Sequence, residues 1–337
     1  MNILGIETSC DDTAASVINE SDVLSNIIAS QSIHVQYGGV VPELASRAHH
    51  HTISQTVEQA LSEAQLGIQD IDLIAATQGP GLMGSLLVGL SFAKGISLAN
   101  QIPLVGVNHM HAHIFANTIE HNLEFPLIAL TVSGGHTQLS KLSGPYTPEI
   151  IGQTRDDAAG EAFDKIGKLL GLNYPAGPKI DTLSREGNPY FYEFPMGLIQ
   201  KGLDFSFSGL KTSVLYYLQN KNNAFITQYL NNICASVSHA ITEVLVTKLE
   251  RAMQAHSIPR AVLAGGVSAN SMLRKKAAAM AEKNNFTIYK PSFSYCTDNA
   301  AMIAATAKVM LQNKSSISHN QRLKEGFGIQ PYSVQPV

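Results

Sequence analysis

The stretch NILGIETSCDDTAASVI (residues 2–18) has a counterpart later in the chain, PLIALTVSGGHTQLSKL (residues 126–142). In each stretch, an apolar run meets a short group of small or polar residues, and a second strand-like run follows. Two such runs around a short polar tip are typical of a β-hairpin. We therefore predict two hairpins of the same design, one opening each half of the chain.

Helix and strand patterns follow each predicted hairpin. After the first come a helix beginning at PELASR (42–47), a strand DLIAATQG (72–79) and a small-residue helix over 82–99. After the second come a helix DDAAGEAFDKIGKLLG (156–171), a hairpin-like GLDFSFSG (202–209), a long helix around 223–256 and a strand AVLAGG (261–266) that leads into another helix. Two α/β halves, each opened by a hairpin, predict a duplicated architecture with a cleft between the halves.

The composition limits the class of protein. The chain has 337 residues, of which 45% are hydrophobic and 15% charged, and this favours a well-buried globular protein of about two domains. The formal net charge of −3 gives no general electrostatic argument for a nucleic-acid or membrane partner. The three cysteines are far apart in sequence, which is typical of reduced thiols in a cytoplasm.

Targeting segments are not expected. The N-terminal MNILGIETSCDD lacks a basic region, so we predict no signal peptide. The most apolar run, residues 85–107, is interrupted by Lys94 and Pro103, so it predicts a buried helix and strand rather than a membrane span. We expect a soluble, cytoplasmic protein without membrane contact.

Three histidines are crowded into HMHAH (109–113). On a helix, His109 and His113 share one face because they are four residues apart, whereas His111 points elsewhere. Two imidazoles on one face can chelate a transition metal together with a further ligand from another segment. Ordinary core or surface histidines fit this stretch equally well.

A further ligand is available in SYCTDNAAMIAA (294–305). We predict that Asp298 lies in the first turn of a helix capped by Thr297, where a carboxylate is stabilised by the helix dipole. Stabilisation of the helix start is by itself enough to explain an aspartate at position 298. Joined to the histidine pair, Asp298 would complete a two-histidine, one-carboxylate set with open positions, typical of catalytic zinc or ferrous iron.

The hairpin tips are candidate phosphate sites. Ser133, Gly134 and Gly135 lack bulky side chains, so their amides can approach an anion. Either tip alone is better explained as an ordinary turn, whereas two facing tips favour phosphate binding. The strand ending in Gly265-Gly266 leads to a helix that Ser268 or Asn270 can cap, but neither a dinucleotide-binding fingerprint nor a P-loop occurs. The run His49-His50-His51 predicts a solvated helix face, and Asp164 is placed to pair with Lys168 four residues later.

Taken together, several stretches resemble one family closely. They are GIETSCDDT (5–13), GGVVPELASR (38–47), QGPGLMGSLLVG (78–89), HMHAH (109–113), VSGGHTQL (132–139), DDAAGEAFDK (156–165), LDFSFSGLKT (203–212), GGVSAN (265–270) and CTDNAAMIA (296–304). The chain is identified by them as a member of the tRNA adenosine threonylcarbamoyltransferase family, once misnamed a glycoprotease. The resemblance runs from residue 3 to about residue 312 with the motifs in order.

The resemblance implies a fold and a reaction. The fold is α/β, the duplicated, ribonuclease H-like two-lobed fold of the actin, sugar-kinase and Hsp70 ATPase group, with an interlobe cleft. The implied division is an N-terminal lobe of residues 1–108 plus about 298–325, and a C-terminal lobe of residues 109–297 that carries the nucleotide site. The implied reaction moves a threonylcarbamoyl group from threonylcarbamoyl-AMP to N6 of adenosine 37 in tRNAs reading codons that begin with A.

The resemblance also implies roles for particular residues. The metal would be held by His109, His113 and Asp298, and Asp11 would sit near the phosphate and the metal as a candidate catalytic residue. The donor, or an ATP-like nucleotide, would be contacted by Thr131, Val132, Ser133, Gly134, Gly135, Asp164, Gly177, Asp181 and Asn270.

The implied cofactors and partners follow from the same family. One divalent metal is expected per subunit, with Fe²⁺ favoured, Zn²⁺ possible, and Mg²⁺ possible with the nucleotide. The expected partners are tRNA, a degenerate paralogue of the same fold that forms a heterodimer with this chain, and a small P-loop ATPase.

Three other functions compete with this interpretation. A zinc protease would need Glu directly after the first histidine, and Met110 stands there. A small-molecule kinase of the same fold would bind Mg²⁺ through carboxylates and would keep nucleotide hydrolysis after loss of His109 and His113. A scaffold without catalysis would have no use for a complete two-histidine, one-aspartate set.

Overall fold

The computed structural model describes residues 1–145, 148–313 and 325–334. These residues form two compact units, one from Met1–Asn122 with Thr297–Val337 and one from Leu123–Cys296. Each unit contains a five-stranded sheet with its own hydrophobic core.

The first unit is built on the predicted N-terminal hairpin. Its elements along the chain are β1 (Ile3–Glu7), β2 (Asp12–Ile18), β3 (Val23–Ser30), α1 (Pro42–Glu63), β4 (Leu73–Gly79), α2 (Met83–Asn100), β5 (Leu104–Asn108) and α3 (His109–Phe115). The strand order is β3-β2-β1-β4-β5, with β1 antiparallel to β2 and parallel to β4. Every residue of β1 is buried, because helices cover this strand and its apolar sequence suits burial on both faces.

The second unit repeats this plan. Its elements are β6 (Leu127–Val132), β7 (Thr137–Leu142), β8 (Pro148–Gln153), α4 (Ala159–Leu169), α5 (Gly177–Ser184), α6 (Ser208–Gln219), α7 (Asn223–Ala255), β9 (Arg260–Ala264), α8 (Ser271–Asn284) and β10 (Thr287–Tyr289). The strand order β8-β7-β6-β9-β10 matches that of the first sheet when strands are numbered within each unit. The predicted duplicated α/β fold and both opening hairpins are therefore confirmed.

The last long helix, α9 (Ala300–Asn313), belongs to the first unit and packs closely on β1. A side chain at Gly5 would place its Cβ 2.3 Å from the carbonyl oxygen of Ala300. Only a glycine therefore lets the start of α9 approach the strand this closely. The approach brings Asp298, just before α9, to the end of β1.

Two details differ from the sequence-based expectations. The first unit continues to Asn122 rather than ending at residue 108, because α3 packs against α9 within that unit. The stretch 202–209 does not form a hairpin: Phe205 makes a single bridge to Thr154, and α6 begins at Ser208. Among the helices of the described residues, none combines the length and apolar character that a membrane crossing requires.

Candidate metal and donor sites

The histidine pair lies on α3, at the end of β5. Asn108 caps this helix, since its side-chain oxygen accepts a hydrogen bond from the amide of His111 at 3.0 Å. His109 and His113 are both buried, and their ring centroids lie 4.7 Å apart with planes at 80°. The predicted i, i+4 pairing on one helical face is confirmed.

Asp298 reaches this pair from the segment before α9. Its Oδ1 lies 3.2 Å from Nε2 of His113 and 3.6 Å from Nε2 of His109. One ligand atom from each of the three side chains lies within 4.8 Å of the others, so the group can hold a metal ion. The expected helix cap was wrong: Asn299, not Thr297, accepts from the amide of Met302, and Asp298 precedes the helix.

Glu7, the last residue of β1, orients the ring of His109 through Nδ1, the ring nitrogen that does not face Asp298. Its side chain is fully buried, and its Oε2 accepts from Nδ1 of His109 at 3.1 Å and from the hydroxyl of Thr77 at 2.6 Å. The other carboxylate oxygen accepts from the amide of Ser9, whose hydroxyl lies 3.2 Å from the same Nδ1. A proton held on Nδ1 leaves the Nε2 lone pair for a cation, as in many carboxylate–histidine–metal sites.

The electrostatics of the site favour an added positive charge. Burial acts to lower the pKa of His109, but the carboxylates of Asp298 and Glu7 outweigh it and raise this pKa to about 9. Burial likewise acts to raise the pKa of Glu7, whereas the charge and hydrogen bond of His109 bring it below its usual value. In the absence of a metal, a proton on His109 balances the two carboxylates.

His113 has a different environment. Its side chain is 1% exposed, and within the described part of the chain neither ring nitrogen meets hydrogen-bond geometry. Its Nε2 faces Oδ1 of Asp298 at 3.2 Å, and a metal ion bound to both would restore the polar bonding that burial removes from the imidazole. The residues present therefore fit a divalent transition metal bound through two nitrogens and one oxygen.

The tip of the first hairpin adjoins this group. Asp11 is half-buried there, between β1 and β2, and its carboxylate lies close enough to influence the pKa of the Cys10 thiol. Burial raises the pKa of that thiol, and Asp11 and Asp298 raise it further, so Cys10 stays protonated and is no nucleophile. His49, expected on a solvated face, is instead buried and binds the hydroxyl of Thr13 and the carbonyl of Cys10.

The tip of the second hairpin offers backbone amides. Ser133 closes it, because its amide donates to the carbonyl of His136 and its hydroxyl accepts from the amide of His136. Gly134 and Gly135 are exposed, and a side chain on either would enter open space. Their amides donate to no protein group among the described residues, which leaves them available to an anion.

The first turn of helix α4 is hydrogen-bonded to this tip. The amide of Gly160 donates to the carbonyl of Ser133, and the amide of Ala159 donates to the hydroxyl of Thr137. A Cβ at Gly160 would lie 2.5 Å from the Ser133 carbonyl oxygen, so the glycine allows the helix start to touch the turn. The helix N-terminus and the tip amides thus lie together in one unit.

The remaining predicted donor residues are already engaged within the second unit. Asp164 accepts from the amides of Ala176 and Gly177 rather than pairing with Lys168, and burial raises its pKa. Asp181 accepts from the amide and hydroxyl of Ser271 on one oxygen and from Arg185 on the other.

Asn270 caps α8 by accepting from the amide of Leu273 at 2.9 Å. Thr131 and Val132 have buried side chains, so a ligand would meet them only through their backbone. These residues therefore build the walls and turns of the unit, and any contact with a donor comes in addition to that role.

Comparison with known proteins decides the family. The model of the tRNA N6-adenosine threonylcarbamoyltransferase family matches residues 22–305. A protein of that name from Chlorobium phaeobacteroides is 52% identical over 325 residues, covering 92% of this chain and 94% of its own. Another, from Christiangramia forsetii, is 51% identical over 310 residues, covering 90% of this chain and 91% of its own. This chain belongs to the tRNA N6-adenosine threonylcarbamoyltransferase family.

Solved structures outside this family share its fold. The crystal structure of HypF from T. kodakarensis aligns with a TM-score of 0.63 at 14% identity, covering 96% of this chain and 49% of that one. At this identity, the likeness shows the fold alone. It agrees with the actin-like, duplicated α/β fold that the sequence motifs predicted.

The sequence reasoning missed Glu7 and the groups around it. A signal was present: in ILGIE, a carboxylate ends a strand that is otherwise apolar, directly before a polar hairpin tip. Charged residues are almost never fully buried unless they are paired, so a carboxylate in such a strand predicts a buried partner. The partner, His109, lies 102 positions later in the chain.

Proposed function

We propose that this chain transfers the threonylcarbamoyl group of threonylcarbamoyl-AMP to N6 of adenosine 37 in tRNAs reading codons that begin with A, with release of AMP. Family membership at about 50% identity over most of the chain carries this proposal. The His109, His113 and Asp298 group supports it, because a transferase that handles a phosphoanhydride has a use for a bound cation.

The chemistry explains what such an enzyme has to supply. The donor is a mixed carbamic–phosphoric anhydride, so AMP is already a good leaving group. The N6 amine of adenine is a poor nucleophile because its lone pair is delocalised into the ring. The new N–C bond forms as the C–O bond to AMP breaks, and N6 loses a proton. Positioning and electrostatic stabilisation therefore supply most of the catalysis.

Residues of the second unit bind the donor in this proposal. The amides of Gly134 and Gly135 hold its phosphate, since an exposed glycine tip lets an anion approach closely, and Ser133 closes the turn that presents them. The backbone of Thr131 and Val132 lines the same strand end. The residues Asp164, Gly177, Asp181 and Asn270 shape the nucleotide pocket.

Residues of the first unit hold the metal. A divalent cation on His109, His113 and Asp298 would act as a Lewis acid towards oxygen atoms of the donor. Two histidines and one carboxylate with open positions suit catalytic zinc or ferrous iron; the family resemblance favours Fe²⁺, and Mg²⁺ would accompany the nucleotide. Asp11 is the candidate residue either to position the phosphate and the metal or to accept the proton that N6 loses.

Further proteins complete the reaction in this proposal. A degenerate paralogue forms a heterodimer with this chain, and a small P-loop ATPase acts with the pair in the cytoplasm. The net charge of −3 supports shared tRNA binding, because a chain with little net attraction for RNA gains from a partner that adds positive surface.

The transfer reaction is tested by product mass. Wild-type protein, the two partners, tRNA and threonylcarbamoyl-AMP are incubated, and the tRNA is digested to nucleosides for mass spectrometry. We expect threonylcarbamoyl-adenosine from the wild type. A His109→Ala/His113→Ala variant should lose its bound metal and lower the yield at least about 100-fold, because removing two ligands costs more than the roughly 10- to 100-fold that losing a hydrogen-bond partner of a ligand costs.

The control is a second histidine pair. His50→Ala/His51→Ala changes two exposed histidines on α1, outside the metal group, and should leave yield and metal content unchanged. Full product from the His109/His113 variant would reject the metal requirement. No product from the wild type would reject the transfer reaction itself.

A further inference from the structure

A cavity opens on the surface of the second unit, beside α6. Its volume is about 560 Å³, large enough for a nucleotide. Its wall includes Tyr192, Tyr216 and Tyr217, the hydroxyl residues Thr212 and Ser213, and Lys221. None of these residues belongs to the metal group or to the donor site.

The tyrosine rings present faces to solvent. Tyr216 is 62% exposed and Tyr192 is 39% exposed, although both are large and partly apolar. Tyr192 is held by Tyr217, whose ring centroid lies 4.2 Å away at an angle of 47°. A ring such as that of Tyr192, which is held by its neighbour yet exposed, loses little entropy when a flat aromatic ligand stacks on it.

Lysines supply positive charge on the α6 side of the cavity, whereas Glu193, beside Tyr192 in sequence, and Asp156, at the start of α6, are acidic. The ammonium of Lys221 lies 5.4 Å from the ring centre of Tyr217 and 4.8 Å from that of Phe225. The whole stretch 205–242 contains two lysines, Lys211 and Lys221, and no aspartate or glutamate. An aromatic surface with the ammonium group of Lys221 beside it suits a ligand that is both aromatic and anionic.

We propose that this cavity binds an unpaired nucleotide of the tRNA anticodon loop. The proposal rests on the proposed function, because the target adenosine lies in that loop. Base faces would stack on Tyr216 and Tyr192, the hydroxyls of Thr212 and Ser213 would meet base edges, and Lys221 would meet phosphate. Single-stranded RNA is bound in this way by proteins that combine aromatic platforms with basic groups.

Direct binding tests the proposal. The affinity of the purified protein is measured by fluorescence anisotropy for a synthetic anticodon stem-loop, for a fully paired hairpin of equal length and for AMP. We expect the stem-loop to bind more tightly than the paired hairpin. Tyr216→Ala should weaken stem-loop binding about 10-fold through loss of one stacking face, whereas Tyr216→Phe keeps the ring and should stay within about twofold of wild type.

A matched control and a kinetic readout sharpen this test. Tyr37 is 58% exposed in the first unit, so Tyr37→Ala removes a similarly exposed ring elsewhere and should leave stem-loop affinity unchanged. In the transfer assay, Tyr216→Ala should raise KM for tRNA about 10-fold with little change in kcat, because the cavity binds substrate and does no chemistry.

The outcomes separate this proposal from the proposed function. Unchanged stem-loop affinity and KM in Tyr216→Ala would overturn the cavity as an RNA site while the transfer reaction stands. A loss confined to AMP binding would identify a free nucleotide as its ligand and would equally overturn the proposal. Stem-loop binding that depends on Tyr216, in a wild type that makes no modified tRNA, would retain the cavity and reject the reaction.

Discussion

The carboxylate of Glu7 lies in the interior of the first unit, where it accepts hydrogen bonds from Thr77, Ser9 and His109. Burial of a charge is costly unless it is compensated, and the compensation here comes from the imidazole that faces Asp298. Glu7 is thus a positioning residue: it fixes the ring of His109 and adds negative charge behind it.

Glu7→Gln should lower the affinity for the bound metal. The amide can still accept a hydrogen bond from Nδ1, but it lacks the charge that makes Nε2 a stronger ligand. We expect a loss of about 10- to 100-fold, the usual range for outer-shell groups. The measurement is competition with a chromophoric chelator, using Fe²⁺ under nitrogen and Zn²⁺ in parallel.

Glu20→Gln provides the control for this change. Its side chain is 79% exposed in the same unit and lies outside the metal group. Equal metal affinity in Glu7→Gln and wild type would show that Glu7 serves stability alone.

For single residues, the sequence supports inferences about local contacts but not about distant ones. Helical spacing was enough to pair His109 with His113, because that relation is local. Spacing could not show that Glu7 faces His109, or that His49 is buried against Thr13, because those contacts join segments separated by a whole strand or helix. The sequence pattern allowed Asp298 to be either a ligand or a capping residue, and the family resemblance favoured the ligand.

At the scale of elements, the start of α6 depends on a distant side chain. Asp156 accepts hydrogen bonds from the amides of Phe207 and Ser208 and from the hydroxyls of Ser206 and Ser208. The alternation in FSFS is typical of a strand, so the sequence predicted a hairpin here. The cap comes from 51 positions earlier in the chain, which is why the local pattern misled.

Asp156→Ala should destabilise the protein through this helix start. Losing the cap is expected to cost about 1 kcal/mol of the free energy of unfolding, since the carboxylate is exposed to solvent and partly screened. Urea denaturation of both proteins measures the difference. Asp22→Ala, which removes another exposed aspartate, is the control and should change stability by less than about 0.5 kcal/mol.

The difference in unfolding free energy between wild type and Asp156→Ala should decrease as the pH falls. Burial acts to raise the pKa of Asp156, but its four hydrogen bonds outweigh this and lower the pKa below its usual value of 3.8. A lowered folded-state pKa adds stability above the unfolded value, and this stability is lost as pH falls through the folded value. The gap between wild type and Asp156→Ala should be constant above pH 5 and shrink below pH 4. A gap that widened in acid would contradict this role.

At the scale of the whole molecule, the hairpins predicted the duplication correctly because each is a local pattern that occurs twice. The compact first unit includes α3, which the expected division at residue 108 would have assigned to the second. That assignment depends on the packing of α3 against α9, a contact between segments about 190 positions apart, which no local pattern encodes.

The net charge of −3 conceals an uneven distribution. Residues 123–296 hold 17 of the 23 lysines and arginines but only 13 of the 26 acidic residues, so the second unit is positive and the first is strongly negative. At short range, a polyanion such as tRNA responds to local charge within about one Debye length as well as to the net charge of the chain. The second unit is therefore the better RNA surface.

Neutralising Lys211 and Lys221 together, as Lys211→Gln/Lys221→Gln, should lower the salt dependence of tRNA binding. Each lysine that contacts a phosphate displaces counterions from the RNA, so the slope of log affinity against log salt should become shallower by about 0.7 per lysine. Affinities measured by filter binding across a series of KCl concentrations give this slope. Arg47→Gln is the control, because that guanidinium already pairs with Glu43 at 2.6 Å in the acidic unit. An unchanged slope in the lysine variant, or an equal change in Arg47→Gln, would place the phosphate contacts elsewhere on the molecule.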